Sequence, residues 1–322
     1  MQPRPTIVFL DRASFAAHLT LPRPTINHSW VEYPYSTPDT LIERLATAQI
    51  VVTDKAHLHA QILAQLPQLR FIAITATGFN NIDIEYCRQA GIGVSNTRDY
   101  ATNTIAEHSF GLLLALARSL LCYHQSVMYG RWPDSQKFCY FDYPIRGLNG
   151  ATLVIVGKGS LGSAVARIAN AFGMRVLFAE HKQATSTRDG YTPFTAALEQ
   201  ADAISLHCPL NQHTTNLLDA AAFASMRKQP LIVNTARGGL IQEEALLAAL
   251  ENGQISGAAL DVLPQEPPPA SSGLVAASRK FPNLLLTPHI AWADDQGQLA
   301  AWNQAMENLV AYARGEKLRR VV

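Results

Sequence analysis

The stretch Thr152-Leu153-Val154-Ile155-Val156-Gly157-Lys158-Gly159-Ser160-Leu161-Gly162 decides the fold. Its first five residues are mostly β-branched or apolar and read as a strand buried on both faces. Three glycines follow at the spacing G-x-G-x-x-G. Beyond them Ala164, Val165, Ile168, Ala169 and Phe172 recur at helical spacing. Each glycine has a physical task in such a strand–turn–helix unit. Gly157 permits the tight turn, Gly159 lets a ligand approach the backbone, and Gly162 lets helix and strand pack closely. The helix N-terminus at Ser160, Leu161 and Gly162 then offers amides and a partial positive charge to an anion. A glycine spacing alone also serves ordinary turns. Set between a buried strand and an amphipathic helix, it points to the pyrophosphate of a dinucleotide.

The next strand signal, Met174–Ala179, ends at Glu180, about where an acid meets the adenosine ribose in this motif. A carboxylate there accepts hydrogen bonds from both ribose hydroxyls and repels a 2′-phosphate. NAD is therefore the expected cofactor, with NADP second because His181 and Lys182 follow directly.

Outward from this unit, strand signals continue at Ala203–His207, Leu231–Asn234, Gly257–Asp261 and Leu284–Thr287, with helical patterns between most of them. On the N-terminal side, Thr6–Leu10, Ile50–Thr53, Arg70–Thr75 and Gly93–Ser95 read as strands. Thr40–Thr47, Ala56–Gln65 and Ile84–Ala90 read as helices, the first capped by Asp39. Residues 104–129 read as one long helix, 130–149 as an irregular aromatic stretch, and Asp294–Arg314 as a last helix. Two regions of strand–helix alternation predict an α/β chain with two doubly wound parallel-sheet domains and a cleft between them.

Composition agrees with that reading. The chain has 322 residues, comfortable for two domains, and 48% hydrophobic residues against 16% charged, enough for substantial cores. A net charge of +1 gives no basic surface for nucleic acid. Cys87, Cys122, Cys139 and Cys208 form no C-x-x-C pair, and reduced thiols are expected. The apolar run after Met1, Ile7–Leu10, is too short for a signal peptide. Phe110–Leu121 is interrupted by Arg118 and falls short of a membrane span. A soluble cytoplasmic protein is expected, without a membrane partner.

Three residues at strand ends suit hydride transfer to a 2-keto acid. That reaction needs a cation on the carboxylate and carbonyl, a proton donor for the forming alkoxide, and a group that keeps the donor charged. Arg237 follows the Leu231–Asn234 strand, and strand C-termini face the crevice in open α/β sheets. Its planar guanidinium matches a carboxylate. His289 follows Leu284–Thr287 and Pro288, and an imidazolium can give a proton to an alkoxide. Glu266, in a proline-flanked loop, would stabilise that imidazolium. A lone turn arginine, histidine or loop glutamate is commonly structural; the combination is what singles these out. The remaining histidines, His57 and His59 on an expected surface helix and His108 and His124 on the long helix among them, have no metal-ligand spacing, so no metal is expected.

Five segments together resemble one family. These are Gly157–Gly162, Leu206-His207-Cys208-Pro209-Leu210, Asn234-Thr235-Ala236-Arg237-Gly238-Gly239-Leu240-Ile241, Asp261–Pro267 and Pro288-His289-Ile290-Ala291. In order and spacing they are similar to the D-isomer-specific 2-hydroxyacid dehydrogenases, and the resemblance covers nearly the whole chain. It implies that Arg237 binds substrate, His289 is the acid/base and Glu266 its partner. It implies that Asp261 and the Ala236 carbonyl bind the nicotinamide carboxamide, and that His207, Pro209, Thr214 and Thr235 line the cofactor site. Amides near Thr77 and Gly78, in the loop Thr75–Asp83, would receive the substrate carboxylate. It further implies a discontinuous flavodoxin-like substrate domain, 1–101 with 291–322, around a Rossmann-type NAD-binding domain, 102–290, and a homodimer joined through the latter with 130–149 as an arm.

Within the family, Ala76-Thr77-Gly78 with Asn80-Asn81, Phe138–Tyr143 and His289-Ile290-Ala291-Trp292 look most like the glycerate dehydrogenases, or hydroxypyruvate reductases. Trp292 would be a wall suited to a short side chain, and glyoxylate would also fit. Lys158 stands where an uncharged residue is common, and Asp294 where a small hydroxyl residue is. The alternatives are another small acid such as D-lactate, a formate- or phosphite-type dehydrogenase, and an NAD-sensing regulatory protein of the same fold. Formate dehydrogenases carry glutamine where Glu266 stands, and the regulators carry long tails, whereas Arg319–Val322 follows the last helix closely.

Overall fold

The computed structural model describes residues 4–322, so Met1–Pro3 of the N-terminal segment lie outside it. The chain divides into two compact units. One holds the chain up to Ala101 with Ala293–Val322; the other is Thr102–Trp292. The second unit thus includes Ala291 and Trp292, two residues beyond the boundary expected from sequence.

The first unit carries five parallel strands: β1 (Thr6–Phe9), β2 (Ser29–Glu32), β3 (Ile50–Thr53), β4 (Phe71–Ile74) and β5 (Gly93–Ser95), in the order β2-β1-β3-β4-β5. β3, β4 and β5 are buried throughout, as their unbroken apolar runs require. Helix Asp295–Ala313 packs on this sheet: the Trp302 ring lies 4.8 Å from Phe9, and Tyr312 stacks on Phe71 at 4.2 Å. Val321 donates its amide to the Val94 carbonyl, tying the C-terminus to β5.

Some local expectations are corrected. β2 was not anticipated: it is an edge strand whose residues are mostly exposed, so it carries no apolar run. The helix expected at Ala56–Gln65 is only Ala60–Leu63, which leaves His57 and His59 ahead of it. Asp39 is no cap; it lies inside a short 3-10 turn, Pro38–Thr40, capped by Thr37.

The second unit holds β6 (Thr152–Val156), β7 (Arg175–Ala179), β8 (Ala203–Leu206), β9 (Leu231–Asn234), β10 (Gly257–Leu260) and β11 (Leu284–Leu286). All pair in parallel, in the order β11-β10-β9-β8-β6-β7. The chain leaves β6 to one side for β7 and crosses back to β8 on the other. The switch point where ligands bind in such sheets therefore lies between β6 and β8. Both faces are covered, one by Phe194, Leu198, Phe223, Leu246 and Leu250, the other by Phe110, Leu113, Val165 and Ala169.

The long helix breaks in two, Thr102–Ala117 and Leu120–Met128, at Ser119, whose backbone is left-handed at φ +48°. A short helix, Arg131–Ser135, follows within the aromatic stretch. Among the described residues no single helix is long and apolar enough to cross a membrane; that broken pair meets the length and composition only jointly, and it is bent by 59°.

Candidate active site

At the end of β6, Gly157 adopts φ +104°, and a Cβ there would stand 2.5 Å from the His207 carbonyl oxygen at the end of β8. A Cβ at Gly162 would run into the Gly157 carbonyl. Internal geometry therefore explains these two glycines. It does not explain Gly159, whose φ of −76° suits any residue and whose Cβ position faces open space. As the N-cap of helix Ser160–Ala171, Gly159 brings no side chain to the first-turn amides. A glycine needed by neither strain nor packing, at an uncapped helix start on the switch point, fits a phosphate group drawn against the backbone.

Glu180 ends β7 as expected, but Arg188 occupies its carboxylate. Arg188 donates from Nε at 2.8 Å and from Nη2 at 2.6 Å, and the Arg188 and His181 amides complete the set. These bonds hold the Glu180 carboxyl down at about 2. Lys182 turns instead to Asp219, at 2.6 Å, and to the Leu217 carbonyl.

At the end of β8, His207 is buried. Its Nε2 meets the Ser205 hydroxyl at 2.8 Å, its Nδ1 has no partner among the described residues, and burial lowers its pKa to about 4. The Thr214 hydroxyl donates to the Pro209 carbonyl at 2.7 Å and accepts the Asn211 amide at 2.8 Å, closing that turn on itself.

His289 and Glu266 meet directly. Nδ1 lies 2.6 Å from Glu266 Oε2, while Glu266 Oε1 accepts the Leu263 amide at 2.7 Å and so ties the loop to itself. The two side chains are 27% and 33% exposed, open enough for a ligand to reach. His289 sits in left-handed backbone, φ +56°, and Asp261 holds that turn. The Asp261 carbonyl accepts the His289 amide at 2.8 Å, and its carboxylate accepts the Ile290 and Ala291 amides at 2.9 Å and the Thr287 hydroxyl at 2.6 Å. The expected nicotinamide ligand is thus 1% exposed and engaged in positioning His289. Trp292, expected as a wall beside the substrate, is buried and donates from Nε1 to the His289 carbonyl at 3.1 Å.

Arg237 is half-buried, with Nη1 on the Ala236 carbonyl at 2.6 Å. Buried Asn234 pins this turn by accepting the Ala236 amide and donating to the Arg237 carbonyl. A Cβ at Gly238 would strike the Leu263–Pro264 backbone, so the Arg237 turn and the Glu266 loop pack together. No hydrogen bond joins Arg237 to His289 among the described residues. The Thr235 hydroxyl meets Ser109 at 2.7 Å. Thr77 and Gly78 belong to the first unit, on the loop after β4, where Asn96 donates to the Thr77 carbonyl at 2.8 Å. Among the described residues no group of three or more His, Cys, Asp or Glu side chains is arranged to hold a metal ion.

Residues 110–291 match the sequence model described as "D-isomer specific 2-hydroxyacid dehydrogenase, NAD binding domain". The chain belongs to the D-isomer-specific 2-hydroxyacid dehydrogenases. It is 45% identical to a Haemophilus influenzae protein that bears only a family-level name, 2-hydroxyacid dehydrogenase, covering 96% of this chain and 98% of that one. It is 41% identical to a glycerate dehydrogenase of Methylorubrum extorquens, covering 96% of each. Among solved structures it is similar to the TT0316 protein of Thermus thermophilus, with a TM-score of 0.84 and 28% identity over 98% of this chain and all of that one.

As a member of this dehydrogenase family the chain is an NAD(P)-dependent oxidoreductase of small 2-hydroxy acids. Several residues around its site escaped sequence reading. Arg188 lies in a loop with no motif, and Asn234 reads as an ordinary strand end. His108, whose Nε2 lies 3.3 Å from the Thr287 hydroxyl, carried the one available signal, a polar residue on an apolar helix.

Proposed function

We propose that the protein reduces a short 2-keto acid, hydroxypyruvate or glyoxylate, to the 2-hydroxy acid of D configuration, and runs the reverse oxidation. The single observation that carries this reading is the 2.6 Å pair between His289 Nδ1 and Glu266 Oε2. When bound, the nicotinamide supplies or accepts the hydride. Tied to a carboxylate through Nδ1, His289 keeps Nε2 for the substrate oxygen. It donates a proton there during reduction and takes it back during oxidation. Glu266 stabilises the imidazolium that this cycle needs. Arg237 fixes the substrate carboxylate and polarises the carbonyl, a task its planar fork suits. Thr77 and Gly78, on the loop after β4, are further substrate-binding residues in this reading, and Trp292 limits the side chain to one as short as hydroxymethyl.

The Thr102–Trp292 unit is the nucleotide unit in this reading and the other the substrate unit. The turn Gly157–Gly162 takes the pyrophosphate, Asp261 and the Ala236 carbonyl the carboxamide, and His207, Pro209, Thr214 and Thr235 line the remainder. Relatives named glycerate dehydrogenase, hydroxypyruvate reductase and glyoxylate reductase support the substrate length. A steady-state screen of short 2-keto acids with NADH and NADPH, with chiral analysis of the product, tests the reading. Turnover confined to longer acids, or an L product, would refute it.

We also propose a homodimer and a cytoplasmic location. Nine of the sixteen exposed large hydrophobic residues fall between Leu120 and Ile145, a concentration that supports self-association through this segment. Four free cysteines support a reducing compartment. Light scattering on the wild type and on Phe138→Asp tests the dimer, which requires a twofold mass that the variant lowers.

A further inference from the structure

The acid that ends β7 is in no position to act as an unpaired negative charge. The Glu180 side chain is 2% exposed, and its two oxygens accept five hydrogen-bonding contacts: the His181 amide, the Arg188 amide, and Arg188 Nε and Nη2, with Nε shared between both oxygens. Two oxygens offer about four lone-pair sites, so none remains for a ribose hydroxyl while Arg188 stays in place. The cation that occupies them is the exposed partner. The Arg188 side chain is 53% exposed and leaves Nη1 unengaged among the described residues.

A second cation stands beside it. Lys158, in the glycine turn itself, is exposed and places Nζ 5.1 Å from the Tyr191 ring and 5.0 Å from the Phe178 ring. The Arg188 guanidinium lies 4.0 Å from the same Tyr191 ring. Tyr191 thus has a cation from the phosphate turn and a cation from the loop after β7 against the same ring. Lys182, the cation the sequence nominated, is spent on Asp219. Glu180, Arg188 and Lys158 together set one buried carboxylate against two exposed cations, with the exposed Asp189 next to Arg188 in the chain; a bare acid at this position would give the reverse.

We infer that Arg188 is the residue that sets the cofactor preference: by covering Glu180 and standing with Lys158 at Tyr191, it makes the ribose end of the nucleotide site receive a 2′-phosphate, and so fixes the balance between NADPH and NADH. This rests on the reading of Gly157–Gly162 and Glu180 as the nucleotide site. A guanidinium edge and an ammonium are the groups that recognise a phosphate monoester, and an arginine near the ribose is a known physical route to the 2′-phosphate. The acid pair persists at any working pH, because Arg188 keeps the Glu180 carboxyl ionised down to about 2.

The test is calorimetric binding of two cofactor fragments, 5′-ADP and 2′,5′-ADP, to the wild type, Arg188→Ala and Lys158→Ala, alongside the ratio of kcat/KM for NADPH and NADH. The wild type is expected to bind 2′,5′-ADP at least as tightly as 5′-ADP. Arg188→Ala should shift the affinity ratio roughly 10–100-fold toward 5′-ADP, the span of a charge-assisted hydrogen bond. Lys158→Ala, which disturbs no buried partner, should shift it the same way by a smaller factor. If Arg188→Ala fails to fold with Glu180 uncovered, Arg188→Ala combined with Glu180→Gln removes the buried charge and is expected to show the same loss for 2′,5′-ADP. Binding of 5′-ADP with 2′,5′-ADP a hundredfold weaker, or ratios unmoved by both substitutions, would overturn the inference and leave the nucleotide site standing. Binding of neither fragment would overturn the nucleotide reading, and this inference with it.

Discussion

The Asp261 carboxylate accepts the Ala291 amide at 2.9 Å, and through this and its neighbouring bonds β10 dictates where His289 points. His289 needs that support, because a non-glycine residue at φ +56° is held there against its own backbone preference. Asp261→Asn keeps the shape but turns at least one acceptor into a donor facing an N–H. We expect kcat to fall by about tenfold or more with the fold retained, at a cost of about 1–3 kcal/mol. Paired kinetics and thermal unfolding check this; unchanged kcat would show that the histidine does not depend on Asp261.

Glu266→Gln tests the pair itself. Glutamine can still accept from the imidazole but brings no charge, so the imidazolium loses its partner. The pH profile for reduction, which requires the protonated form, should move toward lower pH. A pH series of kcat/KM is the measurement, and an unmoved profile would contradict the assigned role.

The glycine turn separates packing from ligand binding. Gly162→Ala places a methyl against the Gly157 carbonyl, so both stability and nucleotide affinity should drop. Gly159→Ala meets nothing inside the protein and removes a flexible residue from the unfolded chain, which contributes about 0.4–1 kcal/mol of stability where the backbone tolerates it. It should leave the melting temperature unchanged or slightly raised while weakening NADH binding. Equal damage to both properties would mean that Gly159 serves the fold.

His207 gives the acid response a sign. Burial lowers its pKa from 6.5 to about 4, so between those values the unfolded chain binds a proton that the folded chain refuses. Stability therefore falls as pH drops through that window, by about 2 kcal/mol from pH 7 to pH 5 for this group alone. Denaturant unfolding at both values should show His207→Gln losing less than the wild type.

Much of the second unit was legible because four of its six strands, β6, β8, β9 and β10, are buried throughout, and burial writes itself as unbroken apolar runs such as Leu231–Val233. The chemistry was legible for a related reason: parallel strands all end at one edge, so Arg237 and His289 after their strands had to lie on the same side of one sheet. What escaped lacked such a signature. β2 pairs through its backbone while its side chains face solvent. The helix break at Ser119 carries neither glycine nor proline. Arg188 reaches Glu180 from eight residues away by a loop path that no periodicity encodes. Even Asp261 was located without its main structural duty, because a side chain's bonds to backbone amides thirty residues on leave no pattern in sequence.

The central claim is that His289, poised by Glu266, moves the proton. The most direct measurement is the steady-state rate of NADH oxidation by hydroxypyruvate for the wild type and for His289→Ala, with nucleotide affinity measured on both. The account predicts a loss in kcat of about 10²–10⁴-fold with nucleotide binding intact. A variant that keeps the wild-type kcat would contradict it.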